Sequence, residues 1–240
     1  MPGVLGRLAT GYWGYAAVTI EAVVALKALS QSKRRLSAVL SDDQRCDLVE
    51  AMAQDVLSCL MGHPEIDTVH AVCGEGWNRS AFPEGPLVVW QEAKSQEGGL
   101  IAAYQMIAAK TAAERLLFIH ADLPFLGPED VSAMIAASLD HYAVLSPDLT
   151  ETGTNAVLRW RHQSLPLCFG ENSFARHQQA AEATKTPWQV VRTIGVARDI
   201  DEPEDLDRLD DDDPSLGKAT ARWSVAIDTN VSMSATHRVC

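Results

Sequence analysis

The sequence predicts a single α/β domain built on a mostly parallel sheet with helices on both faces. Three observations carry that expectation. Strand-like apolar runs alternate with segments of helical periodicity from Ala16 to Leu209, the order in which parallel sheets are wound. The run Leu116-Leu117-Phe118-Ile119 is apolar without a break, as expected of a strand covered on both faces. With 240 residues, 47% of them hydrophobic, the chain can fill one sizeable core.

Residues 1–15 are Gly-rich and aperiodic and are expected to form an N-terminal extension to a domain spanning 16–210. Ala16–Leu26, rich in Ala, Val and Ile, reads as the first buried strand. The loop Ala28–Leu40 follows and carries Lys33, Arg34 and Arg35. Ser41 then opens a helix: Ser-Asp-Asp-Gln fits a capping box, with Gln44 reaching back to the cap. Leu48, Val49, Met52, Val56, Leu57 and Leu60 keep helical spacing until Gly62 and Pro64 end the segment.

Ile66–Cys73 and Pro86–Trp90 read as the second and third strands. The Ala-rich stretch Gly98–Ala113 reads as a helix leading into the strand Leu116–Ile119. A helix over Pro128–Leu139, a strand over Tyr142–Leu145 and a β-like segment over Asn155–Trp160 come next. Asn172–Thr184 is expected to be helical with Asn172 or Ser173 as its cap, and Gln189–Ile194 to be the last strand. Pro203–Leu209 has the proline of a short helix's first turn. From 211 to 240 the composition shifts to Ser, Thr and Asp, and a mobile tail is expected.

A net charge of -12 argues against nucleic acid as a partner. Ten of the acids lie between Asp199 and Asp213, whereas Lys27, Lys33, Arg34 and Arg35 form a basic island near the start. An acidic chain with one local basic cluster suits a small anionic ligand. The five cysteines are scattered without a CxxC pair, which fits a reducing compartment and neither disulfides nor zinc. No apolar run reaches membrane-spanning length and the first residues carry only Arg7, so a cytoplasmic protein without membrane contact is expected.

Chemistry is expected at three places. Asp122 ends the strand Leu116–Ile119 just before Pro124, and open α/β sheets bind ligands beyond the carboxyl ends of their strands. In Asp199-Ile200-Asp201 both carboxylates point the same way if the segment is extended, because side chains alternate with period two. Such a pair either forms a solvated acidic face or holds a hard cation such as Mg²⁺. The basic loop follows the first strand but lacks GxGxxG and GxxxxGK[ST], so side chains of Lys27, Lys33 and Arg35 would have to neutralise phosphate. Gly153-Thr154-Asn155 and Gly170 with Ser173 offer hydroxyls and free amides to an anion. His177 reads as a surface residue and His120 as a satisfied core histidine.

Together these patches, from Lys27–Leu36 through Ala121-Asp122-Leu123-Pro124 and Gly153-Thr154-Asn155 to Phe169–His177 and Asp199–Leu206, resemble the CofC/FbiD guanylyltransferases. That family transfers GMP from GTP to a phosphorylated three-carbon acid in coenzyme F-420 biosynthesis. The resemblance implies the nucleotidyltransferase fold of the molybdenum-cofactor guanylyltransferases. It implies Mg²⁺ held by Asp122, Asp199 and Asp201, an acceptor held by Thr154, Asn155, Gly170 and Ser173, and a nucleotide beside Gly98 and Gly99. Lys27, Lys33 and Arg35 would face the GTP phosphates. Ala25, Arg34, Ile101, Thr152 and Glu202 depart from the residues usual in the family. Competing readings are a related nucleotidyltransferase acting on a molybdopterin or sugar phosphate, and a nucleotide-binding module without catalysis.

Overall fold

Strand and helix alternate through most of the chain in the computed structural model, which describes residues 18–78, 81–91, 99–210 and 212–236. The expected extension over residues 1–15 lies outside them. The strands are β1 (Ile20–Leu26), β2 (Thr68–Cys73), β3 (Leu87–Gln91), β4 (Arg115–Ile119), β5 (Ala143–Pro147), β6 (Thr154–Trp160) and β7 (Trp188–Val190). The helices are α1 (Asp42–Gly62), α2 (Gly99–Lys110), α3 (Pro128–Ala137), α4 (Ser173–Ala183), α5 (Ile194–Ala197) and α6 (Lys218–Thr236).

All seven strands form one sheet in the order β3-β2-β1-β4-β6-β5-β7. Four of its pairings are parallel, and β6 runs against both of its neighbours. The reversal has a local cause. Only residues 148–153 join β5 to β6, too few for a crossover. The Asp148 carboxylate closes that turn by accepting the amides of Thr150 (3.1 Å), Thr152 (3.0 Å) and Gly153 (2.8 Å).

Alternation along β1 divides the core. Ile20, Ala22, Val24 and Leu26 face α1 and α3, where Leu48, Met52, Val131 and Met134 are buried. Val23 faces the other side, packing with Tyr104 and Ile107 of α2 and Phe174 of α4. The capping box of α1 forms as expected, with the Gln44 amide donating to Ser41 Oγ at 3.2 Å and the Ser41 amide donating to Gln44 Oε1 at 2.8 Å. Such a box contributes about 1 kcal/mol.

Four local expectations change. The segment 28–40 is not an open loop but two 3₁₀ turns, Leu29–Gln31 and Arg34–Ala38, the second anchored by buried Leu36. The last strand stops at Val190, and Ile194 opens the short helix α5 instead of ending a strand. Asn172 stands at the N-cap of α4 as expected but makes no side-chain capping bond, its backbone being left-handed (φ 52°), and Ser173 Oγ instead accepts the Thr154 amide at 2.7 Å.

The fourth change concerns the expected tail. Residues 218–236 form α6, which packs on α1 with Leu216 and Ala219 buried. Its first turn is capped from far away in sequence. The Asp55 carboxylate accepts the amides of Ala219 (2.9 Å) and Thr220 (2.8 Å) and the Thr220 hydroxyl (2.7 Å). A Cβ on Gly217 would lie 2.2 Å from Asp55 Cγ, so this close approach requires glycine. The Trp223 indole N–H donates to the Gln44 carbonyl at 3.2 Å and fixes the next turn. Asp55→Ala should lower stability in urea unfolding by about 2 kcal/mol and speed amide exchange at the start of α6. Unchanged stability and exchange would show that Asp55 does not hold this helix.

Candidate active site

The site forms where β1 and β4 end and β6 begins. Since β6 is antiparallel to β4, its first residues lie at the same edge as the carboxyl end of β4. There the His120 amide donates to the Asn155 carbonyl at 3.0 Å. A cavity of about 730 Å³ opens at this edge, with Lys27, Lys33 and Arg35 on one side and Thr154, Gly170 and Ser173 on the other. Asp122, Asp199 and Asp201 line it between them.

Ile200 sets the acidic pair. It is fully buried, and its amide donates to the Asp122 carbonyl at 3.3 Å. With Ile200 turned into the core, the flanking carboxylates of Asp199 and Asp201 turn the other way, into the cavity. The period-two reading of this segment therefore holds.

Lys33 occupies the middle of the group. Its Nζ donates to Asp201 Oδ1 at 2.6 Å and also to Asp122 Oδ2. The lysine backbone is left-handed (φ 49°), a conformation that L-residues avoid unless their surroundings impose it. One such constraint comes from Arg45, which is buried beneath the loop and donates to the Ser32 carbonyl at 3.0 Å and to the Asp42 carboxylate. On the exposed rim Arg35 pairs with Glu202 at 2.6 Å. The Lys27 carbonyl takes the Trp77 indole N–H at 2.8 Å, which holds that residue at the cavity mouth.

The charges respond to one another. Burial alone would raise the Asp122 carboxyl, but the Lys33 ammonium outweighs it and holds the pKa at about 2. Burial likewise pulls Lys33 down, and Asp122 with Asp201 more than reverses the effect, so the lysine stays charged. Asp199 lacks such a partner. Burial first, then repulsion from Asp122 and Asp201, push it up to about 6, although Asn155 Nδ2 donates to it at 3.3 Å.

Among the described residues no group of three His, Cys, Asp or Glu side chains is arranged to hold a metal ion, and the Lys33 ammonium bridges Asp122 and Asp201. The donors nonetheless suit a hard cation. Asp122 Oδ1 is buried without a hydrogen-bond partner, and Asp199 carries negative charge that nothing nearby neutralises fully.

On the opposite wall the groups are held tightly. Thr154 is buried; its amide donates to Ser173 Oγ, and its hydroxyl lies 3.0 Å from His177 Nδ1. His177 is no surface residue: it is 0% exposed, and its Nε2 accepts the Cys168 amide at 2.8 Å. That bond leaves the proton on Nδ1, which donates to the Thr154 hydroxyl. Asn155 Nδ2 also donates to the Val196 carbonyl at 2.9 Å, so it braces the acidic segment from behind. Gly170, with φ 114°, takes a backbone conformation closed to most other residues.

Two further expectations fall elsewhere. Gly98 lies outside the described residues, and Gly99 opens α2 with φ 54° away from the cavity lining. His120 is not a satisfied core residue: it lines the cavity, and its Nε2 is buried without a partner.

Solved structures of known proteins share this architecture. A Desulfovibrio desulfuricans protein described as a nucleotide-diphospho-sugar transferase aligns over 89% of this chain and 97% of its own, with a TM-score of 0.70 and 14% identity. A nucleotidyl transferase from Methanothermobacter thermautotrophicus aligns over 80% of this chain and 95% of its own, at 0.58 and 14%. The fold is thus that of the nucleotidyltransferases. Within that class the chain belongs to the CofC-like guanylyl transferase family, whose model matches residues 20–212. It is 36% identical over 205 residues to a phosphoenolpyruvate guanylyltransferase of Rubrobacter xylanophilus, covering 80% of this chain and 94% of that one. A phosphoenolpyruvate guanylyltransferase of Sphaerobacter thermophilus is 33% identical over 193 residues, covering 80% and 93%. A 3-phospho-D-glycerate guanylyltransferase of Phenylobacterium zucineum is 32% identical over 192 residues, covering 77% and 87%. The protein is a nucleotidyltransferase enzyme.

His177 supplies a pH test of this wall. Burial lowers its pKa from 6.5 to about 4. As pH falls, the unfolded chain takes up the proton first, so the stability of the neutral imidazole is complete above pH 6.5 and is lost progressively toward pH 4. Between roughly pH 7.5 and roughly pH 5.5 the stability advantage of the native chain over His177→Gln should shrink by about 1.4 kcal/mol in urea unfolding. A difference that stays constant across that interval would mean that His177 is not held neutral.

Proposed function

We propose that this enzyme transfers GMP from GTP to a phosphorylated three-carbon acid with release of pyrophosphate, in the formation of coenzyme F-420. The observation that carries the proposal is the single cavity in which cations, an acidic trio and an anion-accepting wall face one another. The names of the relatives, phosphoenolpyruvate and 3-phospho-D-glycerate guanylyltransferases, support an acceptor of this class.

In this reading an oxygen of the acceptor phosphate attacks the α-phosphorus of GTP. A phosphorus–oxygen bond forms as the bond to the bridging oxygen breaks, and pyrophosphate leaves with that electron pair. The attacking oxygen is already ionised near neutral pH, so the reaction needs no general base. Lys27, Lys33 and Arg35 offset the charge of the phosphates, and Thr154, Asn155, Gly170 and Ser173 form the wall against which the acceptor lies. Asp122, Asp199 and Asp201 would hold Mg²⁺, which supplies Lewis-acid stabilisation of phosphate charge when bound.

The test is a mass-spectrometric assay offering GTP and Mg²⁺ with phosphoenolpyruvate, 3-phosphoglycerate or 2-phospho-L-lactate. One guanylylated acid and stoichiometric pyrophosphate are expected. Asp122→Asn should lower the rate by about a hundredfold or more while the circular dichroism spectrum stays native. Near-native turnover in that variant would defeat the metal assignment, and no guanylylated acid in the native protein would defeat the acceptor class.

A further inference from the structure

Two residues before Asp122, the wall of the cavity holds a ring nitrogen with nothing to bond to. The His120 side chain packs against Phe169, with ring centroids 5.2 Å apart, and lines the cavity. Its Nε2 is buried and lacks a hydrogen-bond partner. Native proteins pair nearly all such atoms, because leaving one unpaired forfeits its bonds to water with no return. Among the described residues Arg45, Arg115, Ser146, Arg159 and Thr193 also keep a buried unpaired polar atom, but none of them lines the cavity. Asp122 does, and its unpaired oxygen is the one proposed above to hold a cation. His120 has no such role within the protein.

Packing alone does not account for the imidazole. Phe169 also meets Tyr104 at 5.1 Å, so an apolar side chain at position 120 would find apolar neighbours. The backbone of His120 is engaged by Asn155, which fixes where the ring leaves the strand. The ring therefore stands on a rigid element in the wall of the space shared by Asp122, Thr154, Gly170 and Ser173, with its unpaired nitrogen covered in the empty protein.

We infer that His120 is a substrate-contacting specificity residue, its Nε2–H donating a hydrogen bond to an anionic oxygen of the acceptor acid. This rests on the guanylyl-transfer reading above. A neutral imidazole protonated at Nε2 is a donor there, and the carboxylate and phosphate oxygens of these acids accept. The bond is absent until the acid arrives, so the unpaired nitrogen is a cost to the empty protein that substrate relieves.

The experiment compares the native full-length protein with His120→Leu and His120→Gln. Isothermal titration with phosphoenolpyruvate, with 3-phosphoglycerate and with 2-phospho-L-lactate, without GTP, reads the acid alone; a separate titration reads GTP. His120→Leu should bind its acid about tenfold more weakly, keep its GTP affinity and melt at the same temperature or higher. His120→Gln, whose amide donates from a nearby point, should recover part of the loss. In the native protein, the ¹⁵N resonance of Nε2 should move on adding the acid and stay in place on adding GTP. Native acid affinity in both variants overturns the inference and leaves the guanylyl-transfer reading standing. Loss of acid and GTP affinity together, with a lower melting temperature, assigns His120 a structural role and also overturns it. A native protein that binds GTP but none of the three acids defeats the underlying reading, and the role of His120 with it.

Discussion

Everything at this sheet edge answers to the crowding of three carboxylates, two of which share one lysine. Two like charges about 4 Å apart repel by about 4 kcal/mol at the effective dielectric of a protein surface. Gathering Asp122, Asp199 and Asp201 therefore demands compensation. The Lys33 ammonium supplies it for Asp122 and Asp201, and Asp199 responds by holding its proton more tightly. A lysine that must stand in one place needs a loop that stays in one place. The left-handed backbone at Lys33, the buried Arg45 beneath Ser32 and the anchor Leu36 are parts of that constraint.

The second determinant is direction. In a wholly parallel sheet the start of β6 would lie at the opposite edge from Asp122. The short Asp148 turn reverses the strand, and Thr154 and Asn155 arrive beside the end of β4. The same reversal places Ser173 and His177 behind Thr154, where they lock it. One face of the cavity thus comes from the first strand and its basic turns, and the other from an antiparallel hairpin and α4.

Much of this was legible in the residues, and the exceptions share a cause. The capping box of α1, the apolar run of β4 and the Asp-x-Asp alternation are local patterns, and each forms as read. What escaped depends on partners distant in sequence. His177 looks like one polar residue on a helix of polar residues, and only the Cys168 amide and the Thr154 hydroxyl reveal it as buried. His120 follows four apolar residues and reads as a continuation of them, but the strand ends at Ile119 and the ring packs on Phe169 in the cavity wall. α6 mixes its apolar residues with Ser, Thr and Asp and has no cap of its own. Its cap is Asp55, more than 160 residues earlier, which no periodicity can announce. The antiparallel course of β6 was obscured because alternating strands and helices elsewhere in the chain are wound in parallel.

The amide of Ile200 on the carbonyl of Asp122 also says something about time. On a ribosome, β1 through β4 and most of the cavity wall emerge before residue 199 is made. During that interval Lys33 and Asp122 have only each other, and the third and fourth charges of the cluster do not yet exist. The acidic pair joins last, carried in by a single buried isoleucine across a separation of 78 residues. Contacts of such separation are costly in chain entropy and form late. Synthesis thus builds the scaffold of this enzyme before it can assemble the charges of its site.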